Sequence, residues 1–328
     1  MTTSKPALVP GIFAVLALLH VSPAHAVSPT KVWVANAGND ANPCSISQPC
    51  LTFQHAHDTV AAGGELAVLN PGDYGRVDIS KSISIVNDGA GEAGIAEPSS
   101  SAIFISAGAG GIVSLRGLVL DGLGSGGNGL PGGGILISDT GAAHIQNCVI
   151  RNFQGSPAPF GIYMIASSKP GRLFVSDTII FNNGSSAGGG IEILGSGAGI
   201  DAVLDRVQLE NNASGMDVSS LPAANSVRVT LRDSTIVGNA ASGIYAAFNF
   251  SVPGTLVLVE RTTIANNGAV GVQAGYAHSV VVLDRSRITN NGTGVSAING
   301  AQVISYGNNR NNLNVGPEGT ATSFFSPL

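Results

Sequence analysis

The sequence has 328 residues, of which 45 are glycine, 11% are charged and 44% are hydrophobic, and its formal net charge is −5. A weakly acidic chain with 15 lysines and arginines has no basic footprint for nucleic acid, so we expect no nucleic-acid partner. The apolar content excludes a charge-rich disordered chain, and the lack of a three-residue glycine period excludes collagen. The length suits two average domains or one elongated repeat domain.

The N-terminus has the layout of a secretory signal peptide. Lys5 precedes an apolar run at 7–19, and Ala24-His25-Ala26 forms a small-x-small cleavage site. The run is shorter than the ~20 residues that span a bilayer, and Gly, Asn and Asp interrupt every later apolar run. We therefore predict a signal peptide at 1–26, no membrane insertion after cleavage, and a secreted or periplasmic location. A retained membrane anchor is the alternative interpretation.

Export makes the three cysteines interpretable. Cys44 and Cys50 lie six residues apart, each directly after a proline, and an oxidising compartment favours a local disulfide between them. Cys148 lies in an apolar stretch, which is typical of an inert buried thiol. Zinc binding by Cys44 and Cys50 is disfavoured, because no His or Cys pair follows at zinc-ligand spacing.

An internal repeat of 24 to 30 residues organises the chain from residue 115, with its clearest copies at 175–183 and 283–291. Its first aliphatic column is Leu115, Ile145, Val175, Leu204, Leu231, Val259 and Leu283, and the second is Leu120, Ile150, Ile180, Leu209, Ile236, Ile264 and Ile288. A period of this length indicates a solenoid. Segments rich in Val, Ile and Thr, without a 3.6-residue periodicity, predict short strands. Successive coils then form parallel sheets with strands about 4.8 Å apart.

Two more columns mark the predicted corners of each coil. Asparagines recur, mostly after a second Asn, at Asn183, Asn212, Asn239, Asn267 and Asn291. Asn tolerates the left-handed conformation that a sharp corner requires, and stacked amides hydrogen-bond from coil to coil. The glycines that open the next strand are predicted to be corner residues as well: Gly161, Gly190, Gly215, Gly243, Gly271 and Gly294.

The stacked strands, Asn corners and Gly-Ile/Val strand starts resemble the right-handed parallel β-helix of the pectin-lyase-like superfamily. Residues 71–87 are similar to the first coil of many such proteins. The resemblance implies an all-β, single-stranded right-handed parallel β-helix of eight or nine coils at 65–312. We predict an N-terminal cap at 27–64, with a strand at 32–34 and a short helix at 52–62, because a solenoid needs its open end covered. Residues 313–328 are predicted to form a C-terminal tail or cap.

The superfamily acts on acidic and neutral polysaccharides through lyases, hydrolases, esterases and epimerases. The short catalytic elements of its polygalacturonases, mannuronan epimerases and pectin esterases are absent from this sequence. No catalytic residue is therefore carried over from the family, and the candidate residues come from the repeat itself.

One outward column of the repeat carries candidate chemistry. It is formed by the residues two positions beyond each column glycine: Leu136, Tyr163, Glu192, Asp217, Tyr245, Gln273 and Ser296. The adjacent aliphatic residues should point inward, which places this column outside. Glu192 and Asp217 would then lie about 5 Å apart along the backbone, with a tyrosine on each side.

Two carboxylates so close repel each other, which raises one pKa toward that of a useful acid. We predict Glu192 and Asp217 as catalytic residues with retaining-glycosidase geometry, and Tyr163 and Tyr245 as substrate-binding residues whose rings face sugars. The pair is alternatively a Ca²⁺ site against a uronate. The structural alternative is that all four are ordinary residues of a solvated strand.

A second charged set lies two residues past the first aliphatic column, at Asp177, Arg206, Asp233, Arg261 and Arg285. Signs alternate between coils, which predicts a structural ladder of charges that sets the register. Arg206 or Arg232 could supply a lyase base only on the side that carries Glu192 and Asp217.

These observations predict a secreted, monomeric β-helix protein that binds or processes extracellular or cell-wall polysaccharide, with a polyuronate as one candidate. As an enzyme it would be a polysaccharide lyase or a glycoside hydrolase. The alternative is a non-enzymatic structural or adhesive protein that uses the solenoid as a rigid scaffold, since a fold alone does not establish a function.

Overall fold

A computed structural model describes residues 1–3, 28–127, 132–221, 226–248 and 254–325. The predicted signal peptide lies outside the described residues, apart from its first three positions. Among the described residues, no helix is long and apolar enough to cross a membrane. Three parallel sheets, called A, B and C here, build the fold.

Sheet A has twelve strands among the described residues and runs the full length of the solenoid. Its strands are Lys31–Val34, Gly64–Val68, Ile83–Val86, Ile112–Arg116, Ala142–Gln146, Gly171–Ser176, Ile200–Asp205, Val227–Arg232, Thr255–Glu260, Ser279–Asp284, Gln302–Ser305 and Ser323–Phe324.

Sheets B and C form the other two sides. In the described part of the chain, sheet B has ten short strands: Gly72–Asp73, Ala93–Ala96, Leu118–Asp121, Val149–Arg151, Ile179–Phe181, Gln208–Glu210, Thr235–Val237, Thr263–Ala265, Arg287–Thr289 and Arg310–Asn311. Sheet C has nine: Val77–Ile79, Ile103–Ile105, Gly133–Ser138, Phe160–Ala166, Gly189–Gly195, Met216–Ser220, Ile244–Phe248, Val270–Gly275 and Thr293–Ile298.

The chain passes from sheet B to C to A and then returns to B one coil further on. The nine described strands of sheet C therefore mark nine coils, and the predicted fold class is confirmed. Both aliphatic columns pair residue by residue between coils, as in Val175 with Leu204 and Ile180 with Leu209. Both columns are buried, because alternation along each strand sends every second side chain into the core.

The Asn column forms a buried ladder, as predicted, but its residues are not the left-handed ones. Asn212 illustrates the pattern, because its Oδ1 accepts from the backbone N–H and the amide of Asn183, at 3.0 and 3.1 Å. The left-handed conformation belongs to the residue before each ladder position, such as Asn182 at φ 57° and Asn211 at φ 53°. Gly238, at φ 68°, takes that place before Asn239. One Asn therefore makes the corner while the next bonds the coils together.

The column glycines were predicted as corner residues, and this assignment is wrong for the four that lie within strands: Gly161, Gly190, Gly271 and Gly294. A Cβ on Gly190 would lie 2.6 Å from the Gly215 carbonyl oxygen and 3.2 Å from the Asn212 amide nitrogen. Gly190 lies within a strand and not in the left-handed region. Close approach of the next coil and of the Asn ladder therefore excludes a side chain at this position.

We expect Gly190→Ala to lower the free energy of unfolding by about 1–3 kcal/mol, because the methyl group would overlap backbone that cannot move away. Urea unfolding of the purified protein measures the change. Gly110→Ala is the matched control, because a Cβ there would meet nothing within 4 Å. Equal unfolding midpoints for the two variants would contradict the packing explanation.

The N-terminal segment contacts the first coil. Strand Lys31–Val34 extends sheet A beside Gly64–Val68, and helix Phe53–Thr59 lies near the predicted helix position. The Thr52 hydroxyl caps this helix by accepting from the His55 N–H, which satisfies one of the free donors of its first turn. The predicted disulfide between Cys44 and Cys50 is present, and Cys148 is a buried free thiol.

The second charged set forms the predicted ladder of ion pairs. Arg206 binds Asp177 of the preceding coil at 2.7 Å, and Arg261 binds Asp233 at 2.7 Å. All five predicted members have positive φ, from 45° to 53°, so they also form the corner that leaves sheet A. The pairs are partly exposed, and we assign them to register rather than to large stabilisation.

Candidate functional site

The candidate column lies on the outer face of sheet C, one residue per coil. Backbone pairing places Tyr163 beside Glu192, Glu192 beside Asp217, and Asp217 beside Tyr245. The column continues to Phe104 and Leu136 on one side and to Gln273 and Ser296 on the other. Their strand neighbours, such as Ile191 and Met216, are fully buried. The predicted adjacency of the four residues is thus confirmed, while their roles remain predictions.

Glu192 and Asp217 are half-buried side chains, and within the described part of the chain neither has a cationic partner at salt-bridge distance. Burial raises the pKa of Glu192 well above its usual value, and the negative charge of Asp217 raises it further. Burial also raises the pKa of Asp217 to about 6. Burial thus disfavours the ionised form of both carboxyls, and the charge of Asp217 acts on Glu192 in addition, an arrangement that allows one proton donor and one carboxylate in the same site.

Two serines, which the sequence analysis did not single out, hold the charged forms of this pair. The Ser214 hydroxyl lies 3.0 Å from Asp217 Oδ2 and 2.9 Å from the Gly188 carbonyl oxygen, and its bond to the carboxylate opposes the rise in the pKa of Asp217. The Ser219 side chain does the same for the pKa of Glu192. Ser219 lies two residues beyond Asp217, and this same-face spacing is the signal that could have revealed it.

Tyr163 closes one side of the carboxyl pair. Its ring centroid lies 5.8 Å from that of Phe160. Burial and the charge of Glu192 raise the pKa of Tyr163 to about 12, so the phenol keeps its proton at neutral pH. Ile165 and Leu194 are same-face neighbours in the next outward column, which makes this side of the face apolar.

Tyr245 closes the other side and lies over the next coil. A Cβ on Gly275 would be 3.1 Å from the Tyr245 hydroxyl oxygen and 3.2 Å from a ring carbon. The ring therefore extends along the sheet above Gly275, where any side chain would displace it. Beside it is an open depression of about 240 Å³, lined by Ser214, Asp217, Ala241, Ser242, Tyr245 and Gln273. The carboxyl pair and this depression together form what we call the sheet C trough.

The elevated pKa of Asp217 leads to a prediction on stability. Between its ordinary pKa of 3.8 and its folded-state pKa of about 6, the folded protein keeps a proton that the unfolded chain has released. Stability should therefore fall as the pH rises through this window. We expect Asp217→Asn to increase the free energy of unfolding at pH 7 by about 1–3 kcal/mol, with the gain shrinking toward pH 4.

Urea unfolding at several pH values between 4 and 7 measures this effect. Asp201→Asn is the matched control, because Asp201 is an exposed carboxylate on sheet A and is paired with Arg228 at 2.8 Å. The free energy of unfolding of the Asp201→Asn variant should not rise relative to that of the wild type as the pH increases. An Asp217→Asn variant that is less stable than the wild type at pH 7 would refute the desolvation argument.

The other candidate groups lie away from the trough. Arg206 and Arg232 follow or end strands of sheet A and bind Asp205, so the condition set for either as a lyase base on the Glu192 face is not met. Cys44, Cys50 and His55 offer atoms within 4.8 Å of one another, but both sulfurs are held in the disulfide. A Ca²⁺ ion takes 6–8 oxygen ligands, and at the trough Glu192, Asp217 and the two serines would supply only part of that number.

The fold and the trough define a parallel β-helix protein with a paired-carboxyl face. No protein-family model matches the sequence, and no curated protein sequence matches it. Among solved structures, the chain is similar to a rhamnogalacturonan lyase (TM-score 0.58, 13% identity, covering 82% of each chain). It is also similar to the pectate lyase Pel9A (TM-score 0.52, 15% identity, covering 90% of this chain and 78% of that one).

A protein of Geobacillus virus E2 has a TM-score of 0.51 at 13% identity, over 80% of this chain and 56% of that one. At these identities the likeness shows the fold alone. It confirms the resemblance to pectin-lyase-like β-helices.

Proposed function

We propose that the sheet C trough binds a segment of an extracellular polysaccharide and that Glu192 and Asp217 hydrolyse one of its glycosidic bonds. The observation that carries this proposal is the register of the two carboxyls on adjacent strands, combined with the elevation of both pKa values. The disulfide in the N-terminal cap supports action outside the cytoplasm, because disulfides persist in oxidising compartments.

The chemistry follows from the two protonation states. Burial and the charge of Asp217 favour the protonated form of Glu192, which can donate its proton to the glycosidic oxygen as the C–O bond breaks. Asp217 is ionised above pH 6 and can form a covalent bond to the anomeric carbon. Water then attacks this carbon and releases Asp217, while the deprotonated Glu192 takes a proton from the water. Adjacent strands lie about 4.8 Å apart, close to the ~5–5.5 Å carboxyl separation of retaining glycosidases.

The tyrosines give the trough its affinity in this proposal. The Tyr245 ring is held along the sheet above Gly275, and Tyr163 keeps a protonated hydroxyl beside Glu192. Aromatic rings bury the apolar faces of sugars, and a phenol hydroxyl bonds to their hydroxyl groups. A polysaccharide chain running along the solenoid axis would meet these groups in succession, one coil after another.

A non-enzymatic role as a rigid scaffold is the second candidate. The Asn ladder runs continuously from Asn183 to Asn314, and ladders of this kind stiffen a repeat whose coils contact only their neighbours. In this case the trough would bind glycan without cleaving it, or would have no glycan ligand.

One incubation series separates these functions. Residues 27–328 are incubated with neutral and acidic polysaccharides, with calcium and with chelator, while mass spectrometry analyses soluble products and co-sedimentation measures retention. New oligosaccharides carrying the mass of one added water support hydrolysis. Unsaturated products would instead show that the protein is a lyase, which cleaves by elimination. Retention without products reduces Glu192 and Asp217 to contacts. If no polymer yields products and none retains the protein, the proposal is refuted and the scaffold role is favoured.

A further inference from the structure

The charges that face the trough have one sign. From Ile103–Ile105 to Thr293–Ile298, the strands of sheet C contain two charged residues, Glu192 and Asp217, and no lysine or arginine. The lysines and arginines of the described residues lie outside these strands. Lys169 is in the turn that leaves sheet C toward sheet A, and arginines of the ion-pair ladder, such as Arg206 and Arg261, bind carboxylates at the corner after sheet A.

Partial burial strengthens the repulsion from ionised Asp217. Both side chains are half-buried, burial disfavours the ionised form of each, and the charge of Asp217 further disfavours that of Glu192. The charge of Asp217, once formed, interacts more strongly where solvent screens it less. A polyuronate would bring a further carboxylate to each sugar position along the column. Like charges placed together across a binding surface oppose association strongly.

The remaining outward residues of the face suit an uncharged sugar. Phe104, Leu136 and Tyr163 provide apolar surface on one side of the carboxyls. On the other side Tyr245 is followed by Gln273 and Ser296. An amide and a hydroxyl can donate to and accept from sugar hydroxyls without requiring a charge on the ligand.

We propose that the trough selects neutral polysaccharides and rejects polyuronates. The proposal narrows the substrate class of the proposed function, on which it rests, and it sets aside the polyuronate that the sequence analysis gave as one candidate. The juxtaposed carboxyls thus have two consequences: they supply the acid and the nucleophile, and they exclude acidic chains through repulsion.

Matched polymers test the selection. Polygalacturonate and polymannuronate are each compared with their carboxyl-reduced forms, which keep the backbone and linkage but carry no charge. Affinity co-sedimentation at low salt measures retention of the mature protein. We expect at least one reduced polymer to be retained at least about tenfold better than its parent, with the gap narrowing as salt screens the repulsion.

A gain of binding provides the second arm. The double variant Glu192→Gln/Asp217→Asn removes the repulsion while keeping side-chain size, so its retention by the parent polyuronates should rise at least about tenfold over wild type. Asp201→Asn, which removes one charge from sheet A, should leave that retention unchanged.

The outcomes distinguish this inference from the proposed function. Wild-type protein that retains or cleaves the parent polyuronates as well as their reduced forms overturns the selection and leaves glycan processing standing. A double variant that gains no polyuronate binding also overturns it. If neutral and acidic polymers across the whole panel are neither retained nor cleaved, the proposed function fails and the selection falls with it.

Discussion

Glu192→Gln should lower the rate of polysaccharide cleavage by about 10²–10⁴-fold, the usual contribution of a positioned general acid. Gln keeps the shape of the side chain but has no proton to give to the leaving oxygen. Retention of the polysaccharide should stay near the wild-type level, because the tyrosines and Asp217 are unchanged. Initial rates from reducing-end analysis and co-sedimentation measure the two quantities separately.

The role of Glu192 can be separated from a general loss of structure by changing the leaving group. An aryl glycoside with an acidic phenol needs little protonation, so Glu192→Gln should lose much less of its bond-cleaving rate on this substrate than on a polysaccharide. Asp201→Asn should keep the wild-type rate on both. An equal loss on both substrates would contradict the assignment of Glu192 as the acid.

The second large effect is expected in the Asn ladder, at Asn212. Its amide donates to the Ile180 carbonyl at 3.0 Å and to Asn239 at 3.2 Å, and its Oδ1 accepts from Asn183. Asn212→Ala removes these bonds and takes from the buried Asn183 N–H the acceptor that it has in the ladder. Since a buried unpaired donor costs about 1–3 kcal/mol and each further lost hydrogen bond about 0.5–1.5 kcal/mol, we expect a loss of about 3–5 kcal/mol.

Urea and thermal unfolding followed by circular dichroism measure this loss. The neighbouring Asn211→Gly variant is the control, because Asn211 is left-handed at φ 53° and Gly238 makes the equivalent corner one coil later. That variant should unfold near the wild-type midpoint, since Gly adopts positive φ without strain. If it destabilises the protein as much as Asn212→Ala does, the distinction between corner and ladder positions is wrong.

The two aliphatic columns of the repeat made the coil period and the position of the candidate residues predictable from the sequence. Aliphatic residues equivalent to Leu204 and Leu209 recur from repeat to repeat because each coil must fill the same cross-section of the core. Their spacing therefore predicts both the period and the inward faces. The same alternation places Glu192 and Asp217 on one outward column, since a parallel in-register stack brings equivalent residues side by side. The adjacency of the candidate residues was therefore predictable without a structure.

The glycine and asparagine columns show where local reasoning fails. Gly190 was assigned to a corner from its intrinsic flexibility, whereas the decisive contact is the Gly215 carbonyl of the following coil. Of the two consecutive asparagines, 182 and 183, conformational preference cannot tell which one turns and which one enters the ladder. Both choices depend on atoms about one repeat away along the chain.

By itself, the sequence determined the solenoid, its period, its disulfide and the column that carries Tyr163, Glu192, Asp217 and Tyr245, because these properties follow from residue type and spacing. The tertiary structure alone decided how deeply the two carboxyls are buried, that Ser214 and Ser219 bind them, and that the ring of Tyr245 extends over Gly275. It also placed the arginines of the ladder away from the trough. These properties depend on solvent exclusion and on contacts between coils, and no pattern within a single repeat encodes them.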